Sequence, residues 1–118
     1  MSNEKTLQPQ LQEQLLRLQQ LQQTLQAIIS QRQQLEIENS EADRALNELE
    51  KIPDNGTVYK SIGSILVKSE KKKLIEGLRE QKELATTRIT VLKRQQSRAE
   101  ERAKELQQVI QDNLKAQT

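Results

Sequence analysis

Proton-transfer chemistry in this sequence would have to come from carboxylates, amines and a single phenol, because it contains neither His nor Cys. Its 17 Asp and Glu and 19 Lys and Arg are scattered along two Leu- and Gln-rich stretches, where they read as solvated faces of helices. No Ser, His and Asp set, no Gly-rich phosphate loop and no cluster with metal-ligand spacing is present. Two helices' worth of solvated Glu and Lys offers no cleft in which a pKa could be perturbed. The expectation is a protein that is not an enzyme and takes no cofactor or metal. The residues that can do chemistry of another kind, recognition of other polypeptides, are apolar. One set is Val58, Tyr59, Ile62, Ile65, Leu66 and Val67, packed into a single short segment. The other is Leu7, Leu11, Leu15, Leu16, Val109, Ile110 and Leu114, near the two termini.

The first set lies in Thr57 to Lys68, T-V-Y-K-S-I-G-S-I-L-V-K, the only stretch that does not look like a long helix. Its β-branched and aromatic residues favour strands, and Ser61 to Ser64 around Gly63 supplies turn chemistry, so the segment reads as one β-hairpin. A lone two-stranded hairpin is marginally stable in water and has two unpaired edges. It must take its stability from strands belonging to other chains.

Composition sets the frame for the rest. Only 33% of the residues are apolar and Tyr59 is the sole aromatic, too little for an ordinary globular core. Dominance of Gln, Leu, Glu, Lys and Arg with few Gly and Pro is instead the signature of coiled coil, and the periodicity described next argues against disorder. No apolar run approaches membrane-spanning length and there is no signal peptide, so a cytoplasmic protein without membrane contact is expected. The net charge of +2 is uneven, with the first arm acidic and the second basic. In the second arm, however, basic residues alternate with acids and no aromatic stacking platform accompanies them, which speaks against nucleic-acid binding. Oppositely charged helices lying side by side account for the asymmetry.

A heptad repeat organises both arms. In the first, a and d positions run through Leu7, Leu11, Leu18, Leu21, Leu25, Ile28, Leu35, Ala42, Leu46 and Leu49, with Gln14, Arg32 and Asn39 as polar exceptions. Pro9 is tolerated only in a first helical turn, so this helix should begin near Gln8. Ile52 to Gly56 should end it, Asn55-Gly56 supplying positive φ. In the second arm the seam is Ile75, Leu78, Ala85, Ile89, Leu92, Ala99, Ala103, Leu106 and Ile110, with Lys82, Gln96 and Asn113 polar. Ser69 is placed to cap this helix, and Gly77 near its start costs about 1 kcal/mol against Ala.

Folding the chain back at the hairpin pairs each a position with a d position whose numbers sum to 124: Leu49 with Ile75, Leu35 with Ile89, Leu18 with Leu106. Two heptads assigned separately thus fall into one antiparallel register. The polar layers, Ala42 with Lys82, Asn39 with Ala85, Arg32 with Leu92 and Ile28 with Gln96, are read as specifying that register at some cost in stability. Near the termini the pattern loosens. Gln14 faces Ile110 and Leu11 faces Asn113, while Leu15, Leu16, Val109 and Leu114 lie off the seam. Exposed apolar clusters of this kind mark interaction sites. The fold class expected is mainly α: a long antiparallel two-helix coiled coil joined by one β-hairpin that borrows strands from other chains. Residues 1–118 form one domain, with helices over 8–51 and 70–115 and the hairpin connector over 52–69.

Helix, then V-Y-K-S-I-G-S-I-L-V-K (Val58 to Lys68), then helix resembles the beta-class subunit of prefoldin, in its archaeal type. The likeness covers nearly the whole chain, and the hairpin motif is its specific part. The 17 residues from Ile52 to Lys68 have room for a single hairpin, as in the beta class, rather than for the two of the alpha class. The resemblance implies a hetero-hexamer of two alpha and four beta subunits, hairpins joined into β-barrels, and coiled coils whose tips hold unfolded client proteins. It further implies transfer of those clients to a group II chaperonin without ATP. The alternative compatible with the residues alone is a homo-oligomeric coiled-coil scaffold or tethering protein that binds no client.

Overall fold

The computed structural model of the protein describes residues 8–117, so the seam position assigned to Leu7 lies outside the described residues. In chain order the elements are α1 (Pro9–Glu50), β1 (Val58–Ile62), β2 (Ile65–Ser69) and α2 (Lys71–Gln117). The fold class is therefore mainly α, two long helices with one antiparallel hairpin between them. Pro9 opens α1 in the position where a missing N–H costs nothing, and Gln8 O accepts the first helical bond, from Gln12 N at 3.0 Å. Toward its other end α1 tightens: Lys51 N donates to Glu48 O at 3.2 Å and Ile52 N to Leu49 O at 3.1 Å. Pro53 has no N–H with which to continue.

Two compact units divide the chain. One brings together the part of α1 up to Gln31 and the part of α2 from Leu92 onward, and the other is Arg32–Val91. In both, the heptad seam is the core. Every described a and d position is buried or half-buried. The buried apolar residues are Leu11, Leu92, Ala99, Ala103 and Ile110 in the first unit and Leu35, Ala42, Leu49, Ala85 and Ile89 in the second, joined there by Val58. A fully buried Leu or Ile contributes about 1.5–3 kcal/mol, so the seam, repeated turn after turn, is what holds each unit together.

Polar contacts fix the antiparallel register. In the second unit Asn39 Nδ2 donates to Thr86 Oγ1 at 3.2 Å, and Lys82 Nζ pairs with Asp43. The Lys82 side chain leaves its layer with Ala42 to reach the carboxylate next along α1, so no charge is stranded in the seam. In the first unit Asn113 Nδ2 donates to Gln14 Oε1 at 2.8 Å. These partners lie within one turn of the register read from the heptads.

Two local expectations are corrected. Asn55-Gly56 does not supply positive φ, which among the described residues occurs only at Gly63, with φ 57°. The turn after α1 closes instead by Gly56 N donating to Pro53 O at 2.8 Å. Gly56 is needed there because a Cβ would stand 2.5 Å from Ile52 Cγ2. Ser69 does not cap α2. It is the last residue of β2, paired with Val58, and Glu70 takes the cap position, its O accepting from Leu74 N at 3.0 Å.

Candidate functional site

Antiparallel pairing of Val58 with Ser69, Tyr59 with Lys68, Lys60 with Val67, Ser61 with Leu66 and Ile62 with Ile65 defines the hairpin. Gly63 and Ser64 form its two-residue loop. Positive φ at Gly63 and not at Ser64 is the pattern of a II′ turn, which matches the right-handed twist of the strands. Side chains alternate across the pleat. Val58, Lys60, Ile62, Ile65 and Val67 therefore share one face, and Tyr59, Ser61, Leu66 and Lys68 the other. Both faces carry large apolar side chains in the open: Tyr59, Ile62, Ile65 and Val67 are exposed, and Leu66 is 71% exposed. Among the described residues nothing else pairs with the outer edges of β1 and β2, which form a two-stranded sheet.

Val58 departs from the set assigned to oligomerisation. It is 5% exposed, already buried within its own chain at the start of β1, so its side chain has little surface to offer a partner.

The second set lies in the first unit. Leu15, Leu16, Val109 and Leu114 are exposed. Leu15 and Leu16 follow Gln14 directly, and Leu114 follows Asn113; the bond between those two amides places these leucines at one level of the coil. Leu11 and Ile110, assigned to the same surface, are corrected: they are 1% and 5% exposed. The physical reason is the amide pair itself. Gln14 and Asn113 satisfy each other, so neither has to pull its layer open to reach water, and the apolar residues beside them remain enclosed. Leu7 lies outside the described residues.

Sequence reasoning missed two features. Lys71, one more cation in a basic run, has a side chain only 14% exposed. Its Nζ donates to Ile52 O at 2.7 Å and to Asp54 Oδ1 at 3.2 Å, which ties the turn after α1 to the start of α2. Only a contact map could have shown that. The other is Ile37, exposed on α1 in the second unit as Leu84 and Val91 are on α2. The heptad assignment already put Ile37 off the seam, and that was the available signal.

Among the described residues no group of His, Cys, Asp or Glu could hold a metal ion, and no helix is long and apolar enough to cross a membrane. Ion pairs such as Arg17 with Glu13, 3.1 Å apart and both well exposed, are surface pairs of small energetic weight.

Two helices sharing one heptad seam, joined by a single hairpin whose apolar faces stay open, define a coiled-coil hairpin protein. The family model for prefoldin subunits matches residues 12–117. The prefoldin beta subunit of Archaeoglobus fulgidus is 46% identical over 111 residues, covering 94% of this chain and 96% of that one. That of Pyrococcus abyssi is 40% identical over 110 residues, covering 93% and 94%. The crystal structure of the prefoldin beta subunit from Thermococcus strain KS-1 superposes with a TM-score of 0.78 at 38% identity, covering 91% of this chain and 94% of that one. The chain belongs to the prefoldin family, in its beta-subunit class. Prefoldins are a family of chaperones and not of enzymes.

Proposed function

We propose that the protein is an ATP-independent holding chaperone subunit that captures unfolded polypeptides at the coil end bearing Leu15, Leu16, Val109 and Leu114 and delivers them to a group II chaperonin. It works in the cytoplasm as one of four beta-class subunits in a hetero-hexamer with two alpha-class subunits. The interfaces are β-barrels built from hairpins, to which Tyr59, Ile62, Ile65, Leu66 and Val67 contribute apolar cover. The observation that carries the reading is the exposure of four large apolar side chains beside a seam that is closed. They lie off the seam, each leaving more than a third of its surface in the open, and they are mounted on helical backbone that needs no partner. Each contact with an unfolded chain is weak, and several arms held in one assembly raise the effective concentration of the others.

The test replaces Leu15, Leu16, Val109 and Leu114 together by Ser. Suppression of aggregation of a denatured protein should fall by about tenfold or more in effectiveness, with the melting temperature nearly unchanged and the assembly size the same. Undiminished suppression by an intact assembly would move the client surface elsewhere. No suppression by the wild-type assembly would favour a scaffold or tether without clients.

A further inference from the structure

Gly77 stands in the second turn of α2, at the helix cost already noted. A helix keeps a glycine when the backbone needs positive φ or when another group approaches too closely for a Cβ. Neither holds within this chain. Among the described residues positive φ occurs only at Gly63, and a Cβ at Gly77 would meet nothing within 4 Å. The fold of the protomer does not require this glycine.

Gly77 lines a cleft of about 600 Å³ in the Arg32–Val91 unit, between β1 and the first turns of α2. Leu49, Ile52, Leu74 and Leu78 give it apolar lining, and Tyr59 contributes an aromatic ring from the hairpin. Lys60 and Lys73 also line it, and among the described residues neither is in an ion pair. Its acidic member, Glu48, is taken up by Lys51 at 3.2 Å. The cleft is thus apolar within, cationic in its uncompensated charge, and continuous with hairpin surface that is itself uncovered.

A second copy's hairpin is a poor occupant. Thr57 to Ser69 carries Lys60 and Lys68 and no carboxylate, so it would bring like charge to the cleft, which opposes association. We infer that the cleft docks an apolar side chain flanked by a carboxylate, presented by a different subunit of the assembly. Gly77 is then the position at which that subunit lies against α2. The inference rests on the hetero-assembly proposed above and adds a determinant of partner choice to it: apolar fit selects the anchor, and Lys60 with Lys73 rejects a basic sequence in favour of an acidic one.

The experiment mixes the full-length chain with the alpha-class prefoldin subunit of the same organism and measures hetero-assembly by light scattering at low and high salt. Sizing and melting of the chain alone run in parallel. Gly77→Leu should weaken hetero-assembly by about tenfold or more, with the melting temperature of the chain alone unchanged or raised, since Leu is the better helix former. Gly77→Ala, which can only help the helix, should act in the same direction and more weakly. Lys60→Glu with Lys73→Glu should weaken assembly at low salt and less so at high salt.

Hetero-assembly of Gly77→Leu within about twofold of wild type would overturn the inference. An equal loss of self-association in the chain alone would do so too, by making a second copy the occupant. A loss confined to aggregation suppression would make it a client. If the wild-type chain itself takes up no alpha-class subunit, the hetero-assembly reading falls and the cleft inference falls with it. Assembly that is normal in wild type and in all variants removes the cleft alone.

Discussion

The hairpin and the coil end around Gln14 and Asn113 both expose large apolar side chains, but they leave different things unsatisfied. On the hairpin, Ile62, Ile65, Leu66 and Val67 stand on strands whose outer edges are paired with no further strand among the described residues, leaving N–H and C=O groups on offer. Such an edge is completed by another strand in a fixed register, so it selects one kind of partner and holds it in fixed stoichiometry. At the coil end, Leu15, Leu16, Val109 and Leu114 stand on helices whose backbone bonds are already made. Only side-chain area is on offer there, without register or direction, which suits a surface that must accept many sequences. Apolar exposure alone therefore does not say what a surface is for; the state of the backbone beneath it does.

The largest effect expected from breaking this contrast is at the hairpin. Ile65 and Val67 are exposed in the single chain, so Ile65→Asp with Val67→Asp should leave its helices intact. Assembly should be lost, because an interface that covers these positions would have to bury unpaired carboxylates. Sizing and circular dichroism on one preparation decide it, and assembly that survives both charges removes the barrel. A smaller effect separates seam from surface within α1. Leu11→Ala should destabilise the arm by about 2–5 kcal/mol, as truncation in a closed core does. Leu16→Ala, five residues on and exposed, should change stability by less than about 0.5 kcal/mol. Equal costs at the two positions would mean that the coil end is not sorted into core and surface as described.

Much of this was legible in the residues because the structure is repetitive. A seven-residue period leaves few choices about which side chain faces the partner helix, and two heptads meeting in one register carried the antiparallel pairing as well. The hairpin was legible from Val58 to Lys68 for a related reason: strand formers flank a single Gly whose φ the turn demands. What was not legible is where the repeat meets something else. Leu11 and Ile110 look like the loose end of a seam until the Gln14 to Asn113 bond is seen to close it. Val58 looks like every other apolar residue of its strand until it is found buried within its own chain. Lys71 and Gly77 are a charge and a gap in the sequence, and only the fold puts one under the turn and the other in a cleft.

An effect smaller than the loss at Leu11 is expected from that amide pair, and it sharpens the contrast most. Gln14 and Asn113 are half-buried and bonded at 2.8 Å. Asn113→Ala strands the Gln14 amide and should cost about 1 kcal/mol. Replacing both by Leu removes donor and acceptor together, which is close to neutral or stabilising when shape allows. If the client surface is the four exposed side chains alone, the double-Leu variant should melt at or slightly above the wild-type temperature and suppress aggregation as well as before. A marked loss of suppression in that variant, with an unchanged melting curve, would show that the amides belong to the client surface. The coil end would then be reading polar backbone as well as apolar side chains, and the distinction between a register-bound hairpin and a register-free coil end would narrow.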